Sequence, residues 1–359
     1  VKRGRLGRLV VATVAALVCV AAPARAAPPP GFFGTVAITP LDNGDFSRMD
    51  NIGSSTLRFL MPWSSIQHTR TGGYDWSGTD AMVVRAQKYG TRLLPILIGT
   101  PKFLAPCGSR SCSVRLPVYK AKQRDAWQNF LQAAVARYEP GGVFWHQHPF
   151  LLPQNPITDW QIWNEENNAN VHAKPKDYAK LIEISDEAIK ATDPDANLVL
   201  GGLAGNVSTG HPHPTAHAYL DGVYQFAPKT SFDEVALHPY AQNVSDVARE
   251  IKGVRRAMQK HHDANRRLLI TEIGWGSGAP KEQHDFVLTP KGQKQRLLQS
   301  FKLLLAHRSQ WHLAGVYWFD WRDPAPGKGL CGFCYSSGLL KHDGKEKPSF
   351  GAFKHFVNP

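Results

Sequence analysis

The chain has 359 residues, 42% of them hydrophobic and 20% charged, and a formal charge of +13. No compact Lys/Arg run is interleaved with aromatics, so nucleic acid is not indicated as a partner. After the first 26 residues nothing is apolar for the roughly 20 residues that a bilayer span requires, so stable membrane insertion is not expected.

Those first 26 residues read as a secretory signal. Lys2, Arg3, Arg5 and Arg8 form a basic start, Leu9 to Ala22 is almost wholly apolar, and Ala24-Arg25-Ala26 supplies the small-x-small cleavage pattern. The expected location is therefore extracellular. Pro28, Pro29 and Pro30 make residues 27–33 a short extended lead, and no linker-like stretch interrupts 34–359, so one catalytic-sized domain, acting as a monomer, is expected. Removing five basic residues (Lys2, Arg3, Arg5, Arg8, Arg25) leaves 37 basic against 29 acidic side chains, a balance of +8. Such a surface tolerates or attracts an acidic polymer. Cys107 and Cys112, and Cys331 and Cys334, form two close pairs far from each other. In an exported protein they read as two loop-pinning disulfides rather than as a four-thiolate zinc site.

Short β-rich runs alternate with helical patterns along the chain. The strands expected are Gly34 to Ile38, Thr56 to Met61, Arg92 to Ile98, Asp159 to Trp163, Asn197 to Leu200, Phe232 to Leu237, Arg267 to Thr271 and Ala314 to Phe319. Between them apolar residues recur at threes and fours. Examples are Trp127, Phe130, Leu131, Ala134, Val135 and Tyr138, then Val247, Ile251, Val254 and Met258, then Leu297, Leu298, Phe301, Leu304 and Leu305. Eight strands in strict alternation with helices predict an α/β fold, a (β/α)8 TIM barrel. An open doubly wound sheet would carry a glycine-rich phosphate loop after its first strand, and here Gly44 and Gly53 stand alone.

A barrel of this kind places its chemistry where the strands end. The fourth strand ends Trp163-Asn164-Glu165-Glu166 and the seventh ends Thr271-Glu272. Burying a carboxylate at the end of an apolar strand is costly unless the group is paired or used. Two of them, on nearly opposite strands of one ring, point at one cavity. Cleaving a glycosidic bond needs such a pair, one acid to protonate the departing oxygen and one carboxylate to attack or to activate water.

Trp163-Asn164-Glu165 together with Thr271-Glu272 resembles the clan A glycoside hydrolases, and within the clan family 39 and family 5-like bacterial secreted enzymes. The resemblance implies a retaining enzyme acting on a poly- or oligosaccharide, with Glu165 as acid/base, Glu272 as nucleophile and no cofactor. It further implies that Asn164 holds the sugar 2-hydroxyl, that Tyr240 of His238-Pro239-Tyr240 orients the nucleophile beside His238, that Arg58 steadies it, and that Trp318 floors the sugar. Trp63, Trp275 and Trp321 are further aromatics near expected strand ends. Glu166 departs from the clan, many of whose members have proline there; alternation along a strand turns it away from Glu165, as a loop or supporting residue. His146, His148, His211, His213 and His217 lack the His-Glu-x-x-His pattern, and no metal site is expected. A sugar-binding barrel without turnover and a transglycosylase are the alternatives.

Overall fold

The computed structural model of the chain describes residue 1 and residues 28–105, 114–152, 154–168, 171, 173–205, 214–278, 286–327 and 331–358. Residues 2–26 of the expected signal, residue 27 of the lead, Cys107, Cys112, His211 and His213 lie outside the described residues. The elements run β1 (Phe33–Ala37), α1 (Asn43–Asn51), β2 (Thr56–Pro62), α2 (Trp63–Ile66), α3 (Ser77–Lys88), β3 (Arg92–Ile98), α4 (Ala121–Tyr138), α5 (Val143–Gln147), β4 (Asp159–Ile162), α6 (Pro175–Thr192), β5 (Asn197–Leu200), β6 (Leu203–Ala204), α7 (Ala216–Tyr224), β7 (Glu234–His238), α8 (Val244–Lys260), β8 (Arg267–Ile273), α9 (Pro290–Ala306), β9 (Leu313–Trp318) and α10 (Pro348–Val357).

The strands close into a parallel (β/α)8 barrel. Strands β1 to β5 each pair with the next, as do β6 to β9, β9 returns to β1 through Gly34 and Tyr317, and β5 meets β7 through Val199 and Glu234. The two-residue β6 is the upper end of the fifth stave, set against Leu237 and His238 of β7. It was not expected from the sequence, because Gly201-Gly202 reads as a stop. The two glycines instead make room. A Cβ on Gly201 would stand 1.8 Å from Glu166 Oε1, and one on Gly202 would stand 1.9 Å from His238 Nε2.

The helical stripes face the barrel as their spacing predicts. Trp127, Phe130, Leu131, Ala134, Val135 and Tyr138 of α4 are buried, as are Val247, Ile251, Val254 and Met258 of α8. Leu297, Phe301 and Leu304 of α9 are buried, and Leu298 and Leu305 partly so, at the edge of the same face. Thr289 caps α9 by accepting from the Gly292 amide, and Pro290 opens its first turn, where a missing N–H costs nothing. Among the described residues no helix is long and apolar enough to cross a membrane. Cys331 and Cys334 are joined by a disulfide.

Candidate active site

The backbone bends sharply where β4 delivers its carboxylate. Trp163 and Glu165 take positive φ, 69° and 50°, which non-glycine residues adopt only when their surroundings compel it. Here the constraint is visible. Trp163 is fully buried against Trp127, its amide donates to Leu97 O, and the Glu165 amide donates to Gly202 O. The turn holds Glu165 at the mouth with 23% of its side chain exposed.

Glu272 comes from β8, on the other side of the ring, with 11% of its side chain exposed. An oxygen of Glu165, a ring nitrogen of His238 and an oxygen of Glu272 all lie within 4.8 Å of one another. These donors are already engaged. His238 Nδ1 is 2.9 Å from Glu165 Oε1 and 3.5 Å from Glu272 Oε2, and its Nε2 is 3.0 Å from Thr271 Oγ1. Asn168 Nδ2 donates to Glu165 Oε2 at 3.1 Å. With Arg58 and Tyr240 also bonded to Glu272, the cluster reads as an oriented carboxylate pair more readily than as a metal-ligand set.

Arg58, fully buried on β2, organises the Glu272 side. Its Nη1 donates to Glu272 Oε1 at 2.7 Å, its Nη2 to Asn164 Oδ1 at 2.7 Å and its Nε to Gln161 Oε1 at 2.8 Å. The contact to Oδ1 fixes the Asn164 amide, leaving its NH2 group as the available donor. Tyr240 donates to Glu272 Oε2 at 2.8 Å. Burial would raise the Glu272 carboxyl; the charges of His238 and Arg58, with hydrogen bonds from Arg58 and Tyr240, outweigh it and hold the group below its ordinary range. Tyr240→Phe removes one of these donors from a charged acceptor, an effect of about 1.5–3 kcal/mol. Where turnover requires ionised Glu272, kcat should fall by about tenfold or more, and the acid limb of the pH–rate profile should move to higher pH. An unmoved limb would show that the phenol does not tune this carboxylate.

The structure thus brings Arg58, Asn164, Glu165, His238, Tyr240 and Glu272 together. It does not bring Trp318. That residue is fully covered, its ring against Trp275 and Phe301 of α9 and its Nε1 donating to Ser337 O, so it faces the helical layer and has no surface for a sugar. Alternation along the strand gives the inward position to the next residue, Phe319, whose ring lies 6.3 Å from that of Tyr240. Trp63, Trp275 and Trp321 are equally buried and bind Gln67, Ala241 O and Asp45 through their indole N–H groups. The aromatics beside the site are instead Phe286, Phe319 and Phe333, packed around Tyr240. Phe333 sits inside the Cys331–Cys334 loop, 5.1 Å from the Tyr240 ring.

Sequence reasoning missed Gln161 and Asn168. The inward register of Gln161, two residues before Trp163, and the i+3 spacing of Asn168 from Glu165 were the available signals. Glu166 is fully buried with neither carboxylate oxygen hydrogen-bonded among the described residues. It turns away from the mouth, toward Tyr178 and the space left by Gly201. Burial, together with the nearby charge of Glu165, pushes its carboxyl up to about 8.

A closed parallel barrel whose mouth holds two facing carboxylates, one of them clamped by an arginine and a tyrosine, defines a class of site suited to acid/base and nucleophilic work on one bond. Solved structures of several glycoside hydrolases share the fold. A family 39 glycoside hydrolase from the gut symbiont Bacteroides cellulosilyticus WH2 superposes with a TM-score of 0.68 at 20% identity, over 91% of this chain and 63% of that one. A monomeric beta-xylosidase from Caulobacter crescentus CB15 gives 0.66 at 17% identity, over 93% and 69%. A GH5_18 protein from Streptomyces cattleya in complex with Manb1-4GlcNAc gives 0.65 at 14% identity, over 90% and 79%. At these identities the likeness establishes a common fold. No protein-family model matches the chain, and no curated protein matches it in sequence.

Proposed function

We propose that the protein is a secreted retaining glycoside hydrolase acting on a poly- or oligosaccharide. The observation that carries this reading is the approach of the Glu165 and Glu272 carboxylates to within 4.8 Å. Retaining enzymes keep the pair about 5–5.5 Å apart, whereas inverting enzymes need about 6.5–9.5 Å to admit a water. In the first step a Glu272 oxygen attacks the anomeric carbon, the bond to the leaving oxygen breaks, and Glu165 delivers its proton to that oxygen. In the second step water adds to the anomeric carbon, Glu165 takes a proton from it, and Glu272 departs as carboxylate. The ion pair with Arg58 and the bond from Tyr240 keep Glu272 ionised for attack.

Asn164 presents its NH2 group to the sugar 2-hydroxyl, a contact that strengthens as the oxocarbenium-like transition state forms. Export rests on the basic-then-apolar opening with its Ala-x-Ala end, and sequencing the N-terminus of protein recovered from culture medium tests it. The chemistry is tested with a panel of 2-deoxy-2-fluoro glycosides carrying dinitrophenolate leaving groups. The expected result is stoichiometric release of dinitrophenolate and a fluoroglycosyl mass on the peptide containing Glu272. A label on another residue would displace Glu272 from its role. Release without any label, with the inverted anomer as product, would refute retention.

A further inference from the structure

Against the segment that follows Glu165 lies a cavity of about 390 Å³ to which no role has been given. Val114, Arg115, Leu116 and Tyr119, from the connection between β3 and α4, form one wall, and Val171 and Ala173 form the other. That second wall belongs to the turn carrying the acid/base. The Ala173 amide donates to Glu166 O, the Val171 amide donates to Asn168 O, and Asn168 in turn holds Glu165 Oε2. The first wall is anchored by Thr100, whose hydroxyl donates to Arg115 O.

Position assigns the cavity to one half of a substrate. Glu165 serves the oxygen of the departing group, so whatever occupies space along its own turn is the departing group. The lining specifies what that group carries. Tyr119 is 57% exposed, so a face of its ring is open to a ligand. A ring face packs against the apolar C–H side of a sugar. Arg115 is exposed, and among the described residues no carboxylate forms an ion pair with it. A guanidinium with no described carboxylate partner, in a partly apolar cavity, favours a planar or tetrahedral oxyanion. The chain's excess of basic over acidic side chains brings polyanions toward it.

We propose that this cavity is the leaving-group subsite and that it takes an anionic sugar residue, stacked on Tyr119 with its acidic substituent on Arg115. The placement rests on the glycosidase reading above; the ligand chemistry is read independently by binding. The mature chain carrying Glu272→Gln, which cannot turn over, is titrated calorimetrically with trigalacturonate, with a sulfated chondroitin tetrasaccharide and with neutral xylotriose. The carboxylated or the sulfated probe should bind at least about tenfold more tightly than xylotriose, and the better of the two identifies the anion. Raising NaCl from about 0.02 to about 0.2 M should weaken only the anionic probes. Arg115→Gln should abolish the preference and Arg115→Lys should keep most of it. Tyr119→Ala should weaken anionic and neutral probes alike. Both positions are exposed, and an unchanged thermal midpoint would confirm that the variants fold.

Equal binding of all three probes, no binding of either anionic probe, or an anionic preference that survives Arg115→Gln would each overturn the proposal. Anionic binding that depends on Arg115, coupled with failure of the fluoroglycoside label, would leave the subsite standing and remove the retaining mechanism. A label on Glu272 with no anionic preference would do the reverse.

Discussion

Glu272→Gln should lower kcat by at least about 10⁴-fold on every substrate, because the amide cannot attack the anomeric carbon and no neighbouring group replaces it. Glu165→Gln should lower kcat by about 10²–10⁴-fold on substrates with poor leaving groups, the usual contribution of a positioned general acid. The two variants separate by chemistry as well as by size. A dinitrophenyl glycoside needs no proton for departure, so Glu165→Ala should retain the first step on it and accumulate the glycosyl-enzyme. Azide, which needs no general base, should then release the intermediate as a glycosyl azide of retained configuration. In Glu272→Ala, azide entering the vacated space should give the inverted azide. Product configurations read by proton NMR therefore assign each carboxylate. Glu166→Gln is the internal control: it should keep most of the activity, since that side chain is turned from the mouth. Loss of turnover in Glu166→Gln with activity preserved in Glu165→Gln would reassign the acid.

The same control variant carries the second large effect, on stability. In the unfolded chain the Glu166 carboxyl ionises at its ordinary value of 4.5; in the folded protein it keeps its proton up to about 8, because burial excludes the water that would solvate the charge and Glu165 lies beside it. Between those two values the folded state holds a proton that the unfolded state has released. The contribution of this group to stability therefore falls as pH rises from 4.5 to about 8 and is level on either side. At about 1.4 kcal/mol per pH unit the whole loss approaches about 5 kcal/mol.

Glutamine has the shape of the protonated acid and does not ionise, so Glu166→Gln removes that slope. Urea unfolding at the two ends of the window should find the variant close to the parent at the acid end and more stable by several kcal/mol at the alkaline end. Parallel pH dependences for parent and variant would show that the buried carboxyl is not neutral in the folded state. The arrangement also explains the glycine opposite it. With a Cβ at position 201 the carboxyl would have no space, so Gly201→Ala should be tolerated only when Glu166 is shortened as well.

Much of the molecule follows from local pattern. The strand bounds Arg92–Ile98 and Asn197–Leu200 coincide with their apolar runs, since parallel barrel strands are covered on both faces and read as continuous hydrophobic stretches. Glu165 and Glu272 stand out for the converse reason: an acid closing such a run must have a partner or a use. Arg58, Asn164, His238 and Tyr240 were legible through their likeness to a known arrangement, and the structure places Arg58, His238 and Tyr240 on the two carboxylates and Asn164 on Arg58. The direction of the aromatic side chains was not legible. A barrel strand has a face toward the lumen and a face toward the helices, and both are buried and apolar, so hydrophobicity does not distinguish them. Only closure of the sheet decides that Trp318 meets α9 while Phe319 meets Tyr240. Closure likewise decides that Gln161 reaches Arg58 across 103 residues of chain and that Gly201 and Gly202 are hollows for Glu166 and His238 rather than the end of a strand. Local sequence set which residues lie along each strand; the curvature of the closed sheet set which of them meet, because that contact depends on the position of the opposite wall.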